Sequence, residues 1–150
     1  MDNMGLIEIA ANKSIWRGID YCKNKKVISW DIRGEGKIDG VVSGSNNEKY
    51  DVHVDEIHPR KSKCNCAFAK DRRVVCKHMI AIYFTAYPNK LTDFLEYVEE
   101  QEKEWEREED LRWEEHIEDL YNTAKMLSKK ELIDELVNAW IELEERNHYW

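Results

Sequence analysis

The chain reads as an α+β protein, a small module of short helix, antiparallel β-meander and second helix followed by a C-terminal α-helical extension or hairpin. Three observations predict this. Apolar residues between Val27 and Asp55 alternate with the period of two expected of half-buried strands. Those after Leu91 recur every three or four residues, the period of an amphipathic helix. The charge also reverses along the 150 residues: 1–90 hold sixteen Lys/Arg against eleven Asp/Glu, net +5, and 91–150 hold seven against twenty, net −13, which together make the overall −8. So abrupt a shift places a boundary near Pro88-Asn89-Lys90 and divides the chain into residues 1–90 and 91–150.

Residues 1–11 carry no decisive pattern. Ser14 is a candidate N-cap for a helix from Ile15 to about Lys23, with Ile15, Ile19 and Cys22 on one stripe and Gly18 permitting a close approach. Cys22 fits a small core position on that helix. From Val27 to Arg33, Ile28, Trp30 and Ile32 alternate with Ser29, Asp31 and Arg33, as in a strand with its apolar face inward. Gly34-Glu35-Gly36 turns the chain, Lys37–Ser43 returns, and Gly44-Ser45-Asn46-Asn47 makes the next turn. Lys49–Asp55 then sets Tyr50, Val52 and Val54 inward against Asp51, His53 and Asp55, which makes a meander of about three strands. The outward acidic and histidine side chains need no second metal or acid–base site, because a solvated strand face alternates in the same way.

The apolar run Met79-Ile80-Ala81-Ile82-Tyr83-Phe84 reads as a helix. After it, Asn89 or Thr92 caps a helix carrying Leu91, Leu95 and Val98. Between Glu99 and Asp110 the one apolar residue is Trp105, so this stretch has no face to bury and suits a solvent-bridging helix. The stripe resumes at Trp113, Ile117, Leu120, Ala124 and Leu127. Ser128-Lys129-Lys130-Glu131 is a capping box, which starts a new helix at Lys129. Its apolar face is broad (Leu132, Ile133, Leu136, Val137, Trp140, Ile141, Leu143), and a lone hairpin leaves much of it uncovered. A partner surface is implied: the N-terminal module, a second copy of the chain, or another protein.

Between the meander and the second helix stand Cys64-Asn65-Cys66, nine residues, and then Cys76-Lys77-His78. Three thiolates and one imidazole are the soft, four-coordinate donor set that suits one Zn²⁺ ion. Four protein ligands leave no position for substrate or activated water, so the ion is expected to be structural. Side chains at i and i+2 point the same way on a strand, which brings Cys64 and Cys66 to one metal, while the first turn of the following helix presents His78. His58, six residues before Cys64, is expected in a turn or on the surface because the set downstream is complete. No secretory leader opens the chain and no apolar run approaches the ~20 residues that span a bilayer, so a cytoplasmic, membrane-free setting is expected, where thiols stay reduced and open to metal. No Ser/His/Asp set, phosphate-cradling glycine loop or His-Glu-x-x-His motif is present, which reads as a protein that is not an enzyme.

The pattern Cys64-x-Cys66-x9-Cys76-x-His78, with Phe68 between the pairs and an apolar helix after Cys76-Lys77-His78, resembles the SWIM zinc finger of small bacterial proteins. Upstream residues extend the resemblance: Arg17-Gly18 and Tyr21 ahead of a strand starting at Val27, then Gly40, Val42 and Gly44, then Tyr50-Asp51-Val52-His53-Val54. It covers roughly residues 14–87. The resemblance implies an interaction role, since such modules are implicated in DNA binding and in protein–protein contacts within chromatin-remodelling-type ATPases, transposases and ubiquitin-ligase-like proteins.

Charge gives that role a direction. Residues 57–90 carry Arg60, Lys61, Lys63, Lys70, Arg72, Arg73, Lys77 and Lys90 against Asp71 alone. Lys70, Arg72 and Arg73 lie between the ligand pairs, and together with Lys61, Lys63 and Lys77 they are the candidate nucleic-acid contacts. The expectation is a zinc-binding interaction module that contacts nucleic acid through its basic loop and a protein partner or second copy through its C-terminal helices. The alternative is a purely protein-binding adaptor, or an accessory subunit of a larger ATPase, transposase, mobile-element or defence complex. The acidic helices then serve in one of three ways. A single helix over Leu91–Met126, about 54 Å long, carries them beyond a Debye length of about 8 Å; they fold back on the basic loop; or they themselves bind a basic partner.

Overall fold

The computed structural model describes residues 5–148; the first four and last two residues of the two expected domains lie outside it. The fold is α+β. Helices α1 (Gly5–Ile9) and α2 (Asn12–Lys23) precede strands β1 (Val27–Ile32), β2 (Lys37–Ser43) and β3 (Lys49–Asp55), a 3₁₀ turn at Pro59–Lys61 and the two-residue strand β4 (Lys63–Cys64). Helices α3 (Lys77–Ala86), α4 (Pro88–Lys125) and α5 (Lys129–His148) follow. The chain divides into two compact units, Met1–Glu99 and Glu100–Trp150.

In the first unit the four strands pair antiparallel in the order β1-β2-β3-β4, each beside its neighbour in sequence. Gly34 (φ 108°) and Gly36 (φ 66°) hold the β1–β2 turn in the left-handed region where a side chain is strained. The register sets Ile32, Ile38 and Val54 in one row and Trp30, Gly40, Val52 and Cys64 in another. On that face Ile38, Val42, Val52 and Val54 are buried against α3, whose residues from His78 to Phe84 are buried all round. Helix α2 packs on the far side of α3 through Ile15 and Ile19. Gly18 makes this close packing possible, because a Cβ there would overlap Ile80 and reach 2.9 Å from the Lys77 carbonyl oxygen. Leu6 and Ile7 of α1 complete the core, together with Phe94, whose ring lies 5.9 Å from those of both Trp16 and Phe84.

Several sequence expectations are corrected. Helix α2 starts at Asn12 after an extended Ala11, so Ser14 lies inside the first turn and caps nothing. Helix α4 starts at Pro88, and Thr92 bonds back to the Pro88 carbonyl from within the helix. The break before it is set by proline, which disfavours helical geometry at Tyr87 (φ −124°, ψ 73°) and is itself well suited to a first helical position. The meander has a fourth strand, β4. Ile28, Trp30 and Ile32 are about half exposed, because β1 is an edge strand with no neighbour beyond it; a bulge between Val27 and Ser29 takes Ile28 out of register, while Trp30 and Ile32 stay beside Gly40 and Ile38. Asp55 is buried: the turn after β3 folds over it, the Ser62 hydroxyl accepts its backbone N–H, and its carboxylate accepts the His58 N–H at 2.8 Å.

The second unit is helical. Ser128 and Glu131 form the capping box, with the Ser128 N–H donating to Glu131 Oε2 at 2.7 Å and the Glu131 N–H to Ser128 Oγ at 3.3 Å. Every residue of α5 is exposed. The apolar face from Leu132 to Leu143 is therefore open, as are Leu111, Trp113 and Leu120 on α4. Among the described residues, no helix is long and apolar enough to cross a membrane.

Candidate metal centre and the basic groove

Cys64 ends β4, and the chain leaves the sheet there, so the i, i+2 strand geometry holds Cys64 while Cys66 starts a turn. That turn is closed by the Ala69 and Lys70 N–H groups, both donating to the Cys66 carbonyl at 3.2 and 2.9 Å. Asp71 (φ 59°) bends the loop back, and Val75 anchors it in the core. Cys76 occupies the N-cap of α3, and His78 lies in the first turn. The structure thereby brings Cys64, Cys66, Cys76 and His78 together as a buried cluster whose donor atoms all lie within 4.8 Å of one another. In a tetrahedral site with sulfurs ~2.3 Å from the ion, neighbouring sulfurs lie about 3.8 Å apart, so the cluster is close to the dimensions of a four-coordinate site. It can hold a metal ion. It is the one such group among the described residues, and His58 is not part of it.

His78 presents Nδ1 to the sulfurs, 3.7 Å from Cys64 and 3.9 Å from Cys76, while its buried Nε2 has no hydrogen-bond partner. The ring is held in place by aromatic packing: Tyr50 stacks on it at 4.5 Å and Tyr21 meets it edge-on at 5.5 Å. Tyr50 donates to Glu48 at 2.6 Å, and that bond pushes its phenol up to about 12. The hydrogen bond from Cys64 holds the Cys76 thiol down to about 4, with His78 assisting, and the same bond together with burial pushes the Cys64 thiol up. A lowered thiol pKa favours the thiolate, the form that ligates metal.

Beside the cluster, the outward face of the sheet, the 57–63 segment and the ligand loop enclose an open groove of about 1750 Å³. Of the expected nucleic-acid contacts it gathers Lys61, Lys63, Lys70, Arg72 and Arg73. Arg72 is steadied by donating to the Phe68 carbonyl at 3.1 Å and by lying 5.1 Å over the Phe68 ring. Lys77 is not among the lining residues; its ammonium lies 4.6 Å over the Tyr21 ring. Arg33 and Arg60 also line the groove. Arg60 belongs to the basic run visible in the sequence, whereas nothing local connects Arg33 to a loop some forty residues away. On the sheet, Arg33 pairs with Asp31 at 3.2 Å and Asp39 at 3.6 Å, and Asp39 meets His53 Nδ1 at 2.5 Å.

Comparison of the chain with protein-family models, with curated proteins and with solved structures finds no match in any of the three.

Proposed function

We propose that the four-donor cluster holds one structural Zn²⁺ ion, and that the first unit is a non-enzymatic interaction module of the SWIM zinc-finger kind, acting in the cytoplasm. The observation that carries this reading is the burial of three thiols and one imidazole within 4.8 Å, with a cationic loop strung between the ligand pairs. Thiolate and imidazole donors favour zinc over harder ions, and a set filled by four protein ligands leaves the ion a structural role. When bound, zinc would offset two of the three thiolate charges, leaving the site at −1, and would tie β4 to α3. The loop cations Lys70, Arg72 and Arg73, with Lys61 and Lys63 across the groove, are the contacts to nucleic-acid phosphates. The C-terminal helices recruit a protein partner or a second copy.

A protein-binding adaptor is the second reading, supported by the open apolar face of α5. Metal analysis of the purified chain tests the first step, with one zinc per chain expected and none on Cys66→Ser. Oligonucleotide binding measured against salt tests the second. Arg72→Ala with Arg73→Ala is expected to flatten the salt slope by about two phosphate contacts, and absence of binding at ~50 mM salt leaves the adaptor reading standing.

A further inference from the structure

We infer that the groove binds single-stranded nucleic acid in preference to duplex, holding phosphates on the cations of its walls and turning base edges toward the carboxylate of Asp51 on its floor. This inference rests on the nucleic-acid reading above and names the form that the site takes. The groove carries charge in two tiers. Its walls are the ligand loop, with Lys70, Arg72 and Arg73 against Asp71, and the 60–63 segment, with Arg60, Lys61 and Lys63. Its floor is the outward face of β2 and β3, where strand register places Val41 beside Asp51 and Asp39 beside His53.

The floor acids differ in what they are free to do. Asp31 is engaged by Arg33, and Asp39 by Arg33 and His53. Asp51 is exposed, and among the described residues no hydrogen bond or ion pair engages its carboxylate; its backbone N–H donates to Asn65 Oδ1 at 3.0 Å. Asn65 stands between the ligands Cys64 and Cys66, so the metal loop braces the strand that carries the free carboxylate.

A duplex presents phosphates along its whole outer surface, and seating one in this groove brings them toward an uncompensated anion. A single strand separates its two chemistries. The phosphates run along one side, and unpaired bases offer their Watson–Crick edges on the other. Amino groups such as cytosine N4–H₂ donate to a carboxylate, whereas the one Watson–Crick donor of thymine, N3–H, is flanked by two carbonyl oxygens that repel it. At about 1750 Å³ the groove also exceeds the roughly 300–1,000 Å³ of small-molecule pockets, which suits a length of polymer.

The test uses the full-length, zinc-loaded chain and fluorescence anisotropy at ~50 mM salt with three probes: a dC 12-mer, a dT 12-mer and a mixed-sequence 12-base-pair duplex. The dC strand is expected to bind on the order of tenfold more tightly than the dT strand or the duplex. Asp51→Asn is expected to abolish the dC preference without weakening dT binding, because it removes the anion and leaves the walls intact. Arg72→Ala with Arg73→Ala weakens both strands equally. The wild-type dC/dT ratio needs no variant, and zinc content with far-UV signal verifies that Asp51→Asn is folded. Duplex binding as tight as single-strand binding overturns the inference and leaves the nucleic-acid reading intact. Equal affinity for dC and dT, or a preference that survives Asp51→Asn, overturns it as well. Failure of all three probes to bind overturns both readings.

Discussion

The two units of this chain spend their apolar residues in opposite ways. Residues 1–99 bury Ile80, Ile82, Tyr83 and Phe84 almost completely, while residues 100–150 leave Ile133, Leu136, Trp140 and Ile141 about half exposed on a helix with no buried side chain. The side chains are alike; what differs is whether an element covers them. Strand pairing and helix α3 give the first unit a closed core. Isolated helices in water are marginal, so α5 gains from tertiary packing only when something lies on its face. The first unit closes a core of its own, and the second leaves its apolar face open.

On the structural-zinc proposal, the strongest way to break this contrast is to remove the ion. Structural zinc in finger peptides contributes about 10–16 kcal/mol, comparable with a domain's whole stability of about 5–15 kcal/mol. Chelation, or Cys66→Ser, is expected to unfold residues 49–87, read as new protease cleavage mapped to that span. Native-like protease resistance after verified metal removal would refute a stapling role.

Matched truncations sharpen the comparison. Ile82→Ala, at a fully buried site, should cost about 2–5 kcal/mol in denaturant unfolding, whereas Ile141→Ala, at a site 49% exposed, should change the stability of the chain by about 0.5 kcal/mol or less. Equal effects would mean that α5 has a covered face in solution, and light scattering would then show whether a second copy covers it.

Next in size is Gly18→Ala. Helix propensity alone favours alanine by about 1 kcal/mol, but the added methyl overlaps Ile80 Cβ, near the stiff root of that side chain, and overpacking costs about 1–3 kcal/mol. A net loss of about 1 kcal/mol, seen as a lower thermal midpoint, is expected; a rise would mean that α2 and α3 separate readily.

The most local effect is at the capping box. Bonds from the Ser128 N–H and hydroxyl hold the Glu131 carboxyl below the usual carboxylate range. Its contribution is present above the ordinary glutamate value and fades as pH falls through the lower folded one. The Ser128 amide proton resonance should follow that titration, and Ser128→Ala should cost α5 about 1 kcal/mol. An amide shift that is flat with pH would remove the box.

Some of this protein is written in adjacent residues. The four donors and their spacing, the glycine turn at 34–36, the Lys37–Ser43 and Lys49–Asp55 strands and the start of α5 at Lys129 were all readable, because turn geometry, capping and two-residue periodicity act within a few positions of the chain. The rest was decided by what lies over what. Alternation marked Ile28, Trp30 and Ile32 as inward, yet an edge strand has no neighbour beyond it to complete their cover. The same alternation marked Asp55 as outward, yet the following turn closed over it. Lys77 looked like its basic neighbours until α2 set the Tyr21 ring beneath it, and Arg33 joined the groove through strand register alone. Local hydrogen bonding and periodicity choose the elements and their faces. Burial, charge partners and the nitrogen that His78 turns toward the sulfurs depend on contacts between residues far apart in sequence, which exist once the elements have packed.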